Sequence, residues 1–410
     1  MPPPKKKGAK KTGPKKPAEP SVWEPDDGQK LRDASDRALE FIGKTIFADG
    51  YAESNKDVAN VFKAPWAFAY AGDAARASKA YALLEPFVPP KRNTLLPYPS
   101  ENPAYKFAYP HYPCLWALQA AEALGKPTCA LRNRVEDFHA VSGAGTTEDG
   151  DCDLFSTAMR LHVATTAKKK CANATADALT AAVVKNHGLD SFYLRWQGHE
   201  VITKPPPGSE LPDLFYVVNK DAGDGLYFML AFPALVLLEH GGSLRNKSAA
   251  TTLLEFLESC GGIRTSPWAH KAAAAFAAAG RHATARAIAL NFLASQKADG
   301  SFGEGAMGEG DLDQTAEMAL WLRVLAKYAD GTAGPKPAAL GPRPPKLEPV
   351  KEAPPDVRDE EARESCVYHP ACDEEETVAA VDEPAPPKKK KSILKRLTPT
   401  MALFRKKDSA

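Results

Sequence analysis

The chain has 410 residues, with 53 lysines and arginines against 51 aspartates and glutamates, and 44% of its residues are hydrophobic. That apolar content excludes wholesale disorder and is enough to bury a sizeable core. The net charge of +2 conceals basic ends around a mildly acidic body, and such a body carries no electrostatic footprint for specific nucleic-acid binding.

Residues 1–25 hold seven lysines and seven prolines and read as a disordered basic tail without the apolar core of a secretory signal. The body, 26–330, reads as a single domain. Its spacing predicts a leading helix over about 28–48 and then helical hairpins at 65–84, 114–138, 159–183, 235–257 and 272–293. A closing helix follows over about 313–328. Gly72, Gly125, Gly241 and Gly280 sit where a helix ends in the left-handed conformation that glycine adopts without strain. Pro65, Pro113 and Pro267 stand near helix starts, where the missing N–H costs nothing. The longest apolar run, 226–238, contains Pro233 and is too short to span a bilayer, so it reads as a buried core helix.

The first helix of each hairpin is more apolar than the second, as a helix walled in on all sides would be. With almost no alternating strand pattern, the fold class is all-α. About six helical hairpins closed into an α/α toroid are expected, with the aromatic connections at 86–112 and 188–223 over a mouth. Seven cysteines without disulfide spacing point to reduced thiols in a cytoplasmic or nuclear protein.

Two loops repeat each other. Residues 143–161 and 300–320 both run through a Gly-rich acidic stretch and a Gly-Asp-x-Asp to Thr-Ala and a helix. Matched on Asp151 and Asp153 against Asp311 and Asp313, the first copy has two extra residues before its threonine. On the residues alone, Asp311 followed by Gln314 is a capping-box pattern, and Asp151 or Asp153 would cap its own helix. The chemical alternative is a general acid, because a carboxyl in an apolar pocket keeps its proton. Glu317, one turn on from Asp313, would share that proton or cap a neighbouring loop. Cation binding by the two Asp pairs is the remaining reading; no metal or other cofactor is expected.

Residues 292–304 resemble the Gln-Trp repeat of squalene cyclases and related terpene cyclases, with Phe302 in the aromatic place. Residues 311–317 resemble the Asp-x-Asp-Asp-Thr-Ala motif of class II cyclases and the Asp-Cys-Thr-Ala-Glu form of oxidosqualene cyclases. The resemblance implies an α/α toroid, shared with protein prenyltransferase β subunits, and Asp313 as the acid that starts cyclisation or isomerisation of an isoprenoid or other apolar substrate. Gln314 replaces the last aspartate of the class II motif, and the Asp-x-Cys pair of a zinc prenyltransferase is absent. Candidate catalytic residues are therefore Asp313, Asp311 and Glu317. Trp66, Tyr112, Trp116, Asp153, Phe155, Trp196, Tyr227, Trp268 and His270 are the candidates for lining a substrate cavity, the aromatic faces shielding cationic charge. The competing readings are a non-catalytic toroid that binds a lipid or a partner protein, and a carbohydrate-active α/α barrel with the two Asp-bearing loops as acid and base.

Residues 331–410 form a Pro-rich tail, acidic over 346–386 and basic over 387–407. The segment 388–407 interleaves its bases with Ile393, Leu394, Leu397, Met401, Leu403 and Phe404. That pattern suits peripheral contact with an anionic membrane, a nuclear address, or a solvated tail. Cys366, His369 and Cys372 lack a fourth ligand for zinc.

Overall fold

The structure of the chain, a computed structural model, describes residues 22–55, 57–87, 104–109, 111–137, 140, 142–147, 150–186, 190–198, 200–209, 211–221, 225–241, 243–303 and 311–332. Nearly all of the two tails, with segment 388–407 and Cys366, His369 and Cys372, lies outside these residues, as does the Gly-rich stretch 304–310.

Helix α1, Asp27–Ile46, buries Leu31, Ala34, Ala38, Leu39, Ile42 and Ile46, one apolar stripe at helical spacing. A single turn, α2 (Tyr51–Ser54), leads to five hairpins: α3 (Ala64–Tyr70) with α4 (Ala74–Leu84), α5 (Tyr112–Leu124) with α6 (Cys129–Asp137), α7 (Leu154–Thr166) with α8 (Ala172–Lys185), α9 (Phe228–His240) with α10 (Leu244–Ser259), and α11 (His270–Ala278) with α12 (His282–Ser295). Helix α13, Leu312–Ala329, closes the series. Gly72, Gly125, Gly241 and Gly280 all have positive φ in the hairpin turns; in the α7–α8 turn Lys168 takes that role at φ 55°.

The first helix of each pair is the more deeply set. Helix α9 is buried at every residue from 229 to 237 and α11 from 270 to 277, whereas α12 buries only one stripe through Thr284, Ala285, Ile288, Ala289 and Phe292. These deep helices pack in chain order, α3 on α5, α5 on α7, α7 on α9, α9 on α11 and α11 on α13, and α13 also packs on α3. Helices α4, α6, α8, α10 and α12 lie behind them, and α1 backs α13. No described helix is long and apolar enough to cross a membrane.

The connection 188–223 departs from the expected absence of strands. Strands β2 (Ser191–Tyr193) and β5 (Val217–Asn219) pair antiparallel, and β3 (Arg195–Gln197) pairs antiparallel with β1 (Cys152–Asp153) and with β4 (Glu200–Ile202). Strands of two or three residues are too short to print an alternating pattern, so periodicity does not reveal them. They bind to the start of α7, where the Leu154 N–H donates to the Leu194 carbonyl at 2.9 Å.

Gln296 ties the last loop to α1. Its Nε2 donates to the carbonyls of Ala34 at 2.8 Å and Gly300 at 2.9 Å, while Arg37 donates to its Oε1. Gly300, at φ 93°, lies so close to α1 that a Cβ there would meet the Arg37 carbonyl oxygen at 2.4 Å. This loop thereby fixes the start of α13.

Candidate functional site

The two repeated loops share one hydrogen-bond design. Asp153 caps α7 by accepting from the Ser156 N–H at 2.7 Å, and Asp311 caps α13 by accepting from the Gln314 N–H at 2.7 Å. Four residues beyond each cap a threonine hydroxyl, Thr157 or Thr315, accepts from the loop backbone, at Gly145 or Phe302, at 2.9 Å in both. The caps correct the register read from the sequence: Asp153 corresponds to Asp311, no residues are inserted, and Phe155 stands where α13 carries Asp313. Asp311 is a helix cap, and its carboxylate takes no other bond among those described. The reciprocal half of a capping box is not made, since the Asp311 N–H goes to the Phe302 carbonyl at 3.0 Å.

Asp313, freed from capping, turns toward the deep helices. Its Oδ2 accepts from the Tyr105 hydroxyl at 2.8 Å, and its Oδ1 lies 2.9 Å from the Lys63 ammonium. One turn further along α13, Glu317 is the hub. Its Oε2 pairs with Lys63; its Oε1 pairs with Lys271, lies 3.1 Å from His270 Nε2, and accepts from the Tyr112 hydroxyl at 3.1 Å. Lys271 Nζ also reaches the Tyr112 oxygen at 3.2 Å and His270 Nε2 at 3.3 Å. With His270 neutral, two carboxylates balance two ammonium groups.

Aromatic rings enclose this cluster. Lys63 Nζ lies between 5.3 and 6.0 Å from the ring centres of Phe62, Trp116, Tyr112 and Tyr105. Lys271 Nζ lies 4.9 Å from Phe228, 5.6 Å from Tyr112, 5.8 Å from Trp321 and 6.0 Å from Phe155. Both ammonium groups therefore face aromatic π-systems as well as carboxylates.

The charges follow from these contacts. Burial works against the charge on Glu317, but Lys271, Lys63 and His270 outweigh it and hold its carboxyl well below the usual range. Burial raises Asp313 to about 6, Lys63 opposing and the charges of Asp311 and Glu317 adding. The two lysines part company although both pair with Glu317. Burial disfavours charge on Lys63, yet two carboxylates overcome it and its pKa is raised. Lys271 has one carboxylate and feels the charge of Lys63, so burial prevails and lowers it to about 8. Burial also lowers His270 and lifts Tyr105 and Tyr112 well above the ordinary phenol value.

A second buried group lies at the start of α7. Tyr109 donates to Asp153 at 3.3 Å, Arg195 Nε stands 3.9 Å from the same carboxylate oxygen, and Arg195 donates to the Tyr216 hydroxyl at 3.2 Å. Burial raises Asp153, with Arg195 opposing.

Among the aromatics expected to line a cavity, Tyr112, Trp116, Phe155 and Trp66 do converge: Tyr112 is 6.2 Å from Trp116 and 5.5 Å from Phe155, and Trp66 is 4.8 Å from Trp116. Trp268 joins through Phe228 at 6.4 Å, and His270 stacks on Phe228 at 6.3 Å. Trp196 is on β3, paired with Cys152, with Lys185 over its ring at 5.9 Å, so it belongs to the sheet. Tyr227 is fully buried ahead of α9, against Gly225. Asp153 is fully buried as a cap beside Arg195 and offers nothing to an open polar groove. The sequence reading missed Lys63, Lys271, Tyr105, Trp321 and Arg195. The signal for two of them was available: Lys63 and Lys271 are single charges at the starts of the otherwise apolar α3 and α11. Among the described residues no three His, Cys, Asp or Glu come together as metal ligands.

At the other end of the deep helices, His162 of α7 stands 3.9 Å from Glu239 of α9. Burial raises Glu239 to about 7 and lowers His162 to about 4. Because the folded pKa of Glu239 lies above its unfolded value of about 4.3, its ionisation costs stability progressively as pH rises from there to 7. Glu239→Gln is expected to raise stability at pH 8 by about 1–3 kcal/mol, discounted for partial exposure, and to leave it unchanged at pH 4. Thermal unfolding at the two pH values checks this; equal shifts at both would refute it.

No protein-family model matches the chain, and no curated protein is matched by its sequence. Among solved structures the fold is similar to that of type II terpene cyclases. Three of the similar structures are of the type II terpene cyclase MstE from Scytonema. One variant is bound to the substrate geranylgeranyl dihydroxybenzoate (13% identity, TM-score 0.45), one to the product merosterolic acid A (12%, 0.44), and one is free of ligand (12%, 0.45). Each alignment covers 74% of this chain and 98% of the other.

Proposed function

We propose that the chain is a closed α/α toroid of the terpene-cyclase type that binds an isoprenoid or other apolar small molecule at its centre, with Asp313 moving a proton on it. The return of packing from α13 to α3, with a second helix behind each deep one, supports the closed ring. The observation that carries the function is Asp313 itself: a carboxyl of pKa about 6, 21% exposed, hydrogen-bonded by Tyr105 at the edge of the aromatic cluster. A group that titrates near neutrality exchanges protons in both directions, which suits an isomerisation. A cyclisation cascade fits less well. The faces of Tyr112, Phe155, Phe228 and Trp321 that would stabilise a carbocation are turned to the Lys271 ammonium. At an effective dielectric of about 20, two cations about 5 Å apart repel by about 3 kcal/mol.

A second reading, a non-catalytic toroid, is favoured by one observation: the cluster around Glu317 is charge-balanced within itself and needs no ligand to complete it. The test is native mass spectrometry and lipid extraction of the full chain beside Asp313→Asn. Wild type is expected to carry an isoprenoid-class lipid and convert it, and the variant to hold the lipid unconverted. An empty protein, or identical turnover by both, overturns the proposal and leaves the toroid as a scaffold.

A further inference from the structure

We infer that Lys271 is an imine-forming lysine and that the centre of the fold takes an apolar aldehyde or ketone, its carbonyl carbon captured by Lys271 Nζ and its hydrocarbon part lying over Phe228, Phe155 and Trp321. The inference rests on the reading of this centre as the ligand site and adds the functional group the ligand must carry. Three observations meet at one atom. Lys271 is almost fully buried yet projects into rings, with Phe228 at 4.9 Å, so an apolar chain attached to it would meet aromatic surface. Its ammonium is in contact with the Glu317 carboxylate, a proton acceptor for freeing the amine. The Tyr112 hydroxyl, 3.2 Å from Nζ and 3.1 Å from Glu317, stands where a carbonyl oxygen bound to this nitrogen needs a donor. Phe228 and Trp268 are only partly buried, so the cluster is bordered by accessible apolar surface.

Desolvation also leaves Lys271 easier to deprotonate than an ordinary lysine, at about 8, whereas Lys63, with two carboxylates, is held charged. The reaction needs no oxidant or reductant. The ammonium passes a proton to Glu317 Oε1, and the free amine attacks the carbonyl carbon as the C=O π pair moves to oxygen. That oxygen takes a proton through Tyr112, and the nitrogen gives up one of its own. The resulting hydroxyl then leaves as water, carrying the proton held by Glu317, and a C=N bond forms. The sum is ammonium plus carbonyl giving iminium plus water. Glu317 is ionised again and is the counter-ion of the product.

The experiment incubates the full chain with geranial and sodium borohydride near pH 8 and maps the reduced adducts by peptide mass spectrometry. The probe at low excess is expected to label Lys271 ahead of all surface lysines. Lys271→Arg, which keeps the charge beside Glu317 and forms no imine, is expected to lose that adduct and retain the sparse surface ones. Octanal in competition is expected to suppress labelling and acetaldehyde is not. An unmodified Lys271 beside labelled surface lysines overturns the inference, and the wild-type map decides this even if the variant folds poorly. The two proposals fail separately. A co-purified isoprenoid alcohol with Lys271 unlabelled removes the imine and leaves the proton-transfer reading. Labelling at Lys271 with Asp313→Asn indistinguishable from wild type does the reverse.

Discussion

Replacing Glu317 by alanine is expected to cost about 3–5 kcal/mol of folding stability, more than any other single change in the central cluster. The carboxylate is the common partner of Lys63, Lys271, His270 and Tyr112, and Lys63 and Lys271 have almost no access to water. Without it Lys271 has no carboxylate contact and Lys63 keeps only Asp313. Lys271 can escape part of the penalty by losing its proton, since burial already lowers its pKa, while Lys63 cannot do so as readily. Glu317→Leu combined with Lys271→Met is therefore expected to recover a measurable part of the loss, because the pair leaves together. The pH dependence has a definite sign. The folded pKa of Glu317 is depressed, so its contribution is present above the unfolded value of about 4.3 and is lost only as pH falls through the folded one. Urea unfolding of wild type and variants at pH 7 and pH 4 measures both effects. A loss under 1 kcal/mol at pH 7 would mean that these charges are not held by Glu317.

Helical periodicity carried most of the architecture. Every hairpin expected from the spacing is present, α1 and α13 fall within a residue or two of the expected ends, and Gly72, Gly125, Gly241 and Gly280 end the helices they were expected to end. Each of those features is local, set by one glycine or one apolar stripe. What the sequence hid was tertiary. Lys63 and Glu317 are 254 positions apart and Arg195 is 42 from Asp153, so no window brings them together. The register of the two Asp-bearing loops was misread for a related reason. Gly-Asp-x-Asp looks alike in both copies, but the cap is set by which carboxylate accepts the third N–H onward, and that is Asp153 in one and Asp311 in the other. The consequence is chemical: the same helix position is an acid in α13, at Asp313, and an apolar ring in α7, at Phe155. The difference leaves a titratable carboxyl at this position in α13 and none in α7. Lys271 was missed because a lone charge in an alanine-rich helix reads as a surface residue until the helix is known to be surrounded.

At the start of α7 the same physics makes an unequal pair. Asp153→Ala is expected to lose about 3–5 kcal/mol, because the charge left behind, Arg195, is fully buried and does not deprotonate. About 1 kcal/mol of that is the helix cap to Ser156. The converse change, Arg195→Met, is expected to cost less, since Asp153 is already raised by burial and takes up a proton when its cationic neighbour is gone. The two variants also differ in pH response. With Arg195 removed, the folded pKa of Asp153 rises further above its unfolded value, so Arg195→Met loses stability relative to wild type as pH climbs from about 4 toward neutrality. Asp153→Ala has no such group and shows no such slope. Asp153→Asn separates the two roles, since its side-chain oxygen still accepts from the Ser156 N–H while Arg195 loses its counter-charge; it is expected to fall between wild type and alanine. Denaturant titrations of the three variants across pH 4 to 7 read the order directly. If Arg195→Met proves the more damaging, the stability of this corner comes from the contact of Arg195 with Tyr216, 4.3 Å from guanidinium to ring, and not from the carboxylate.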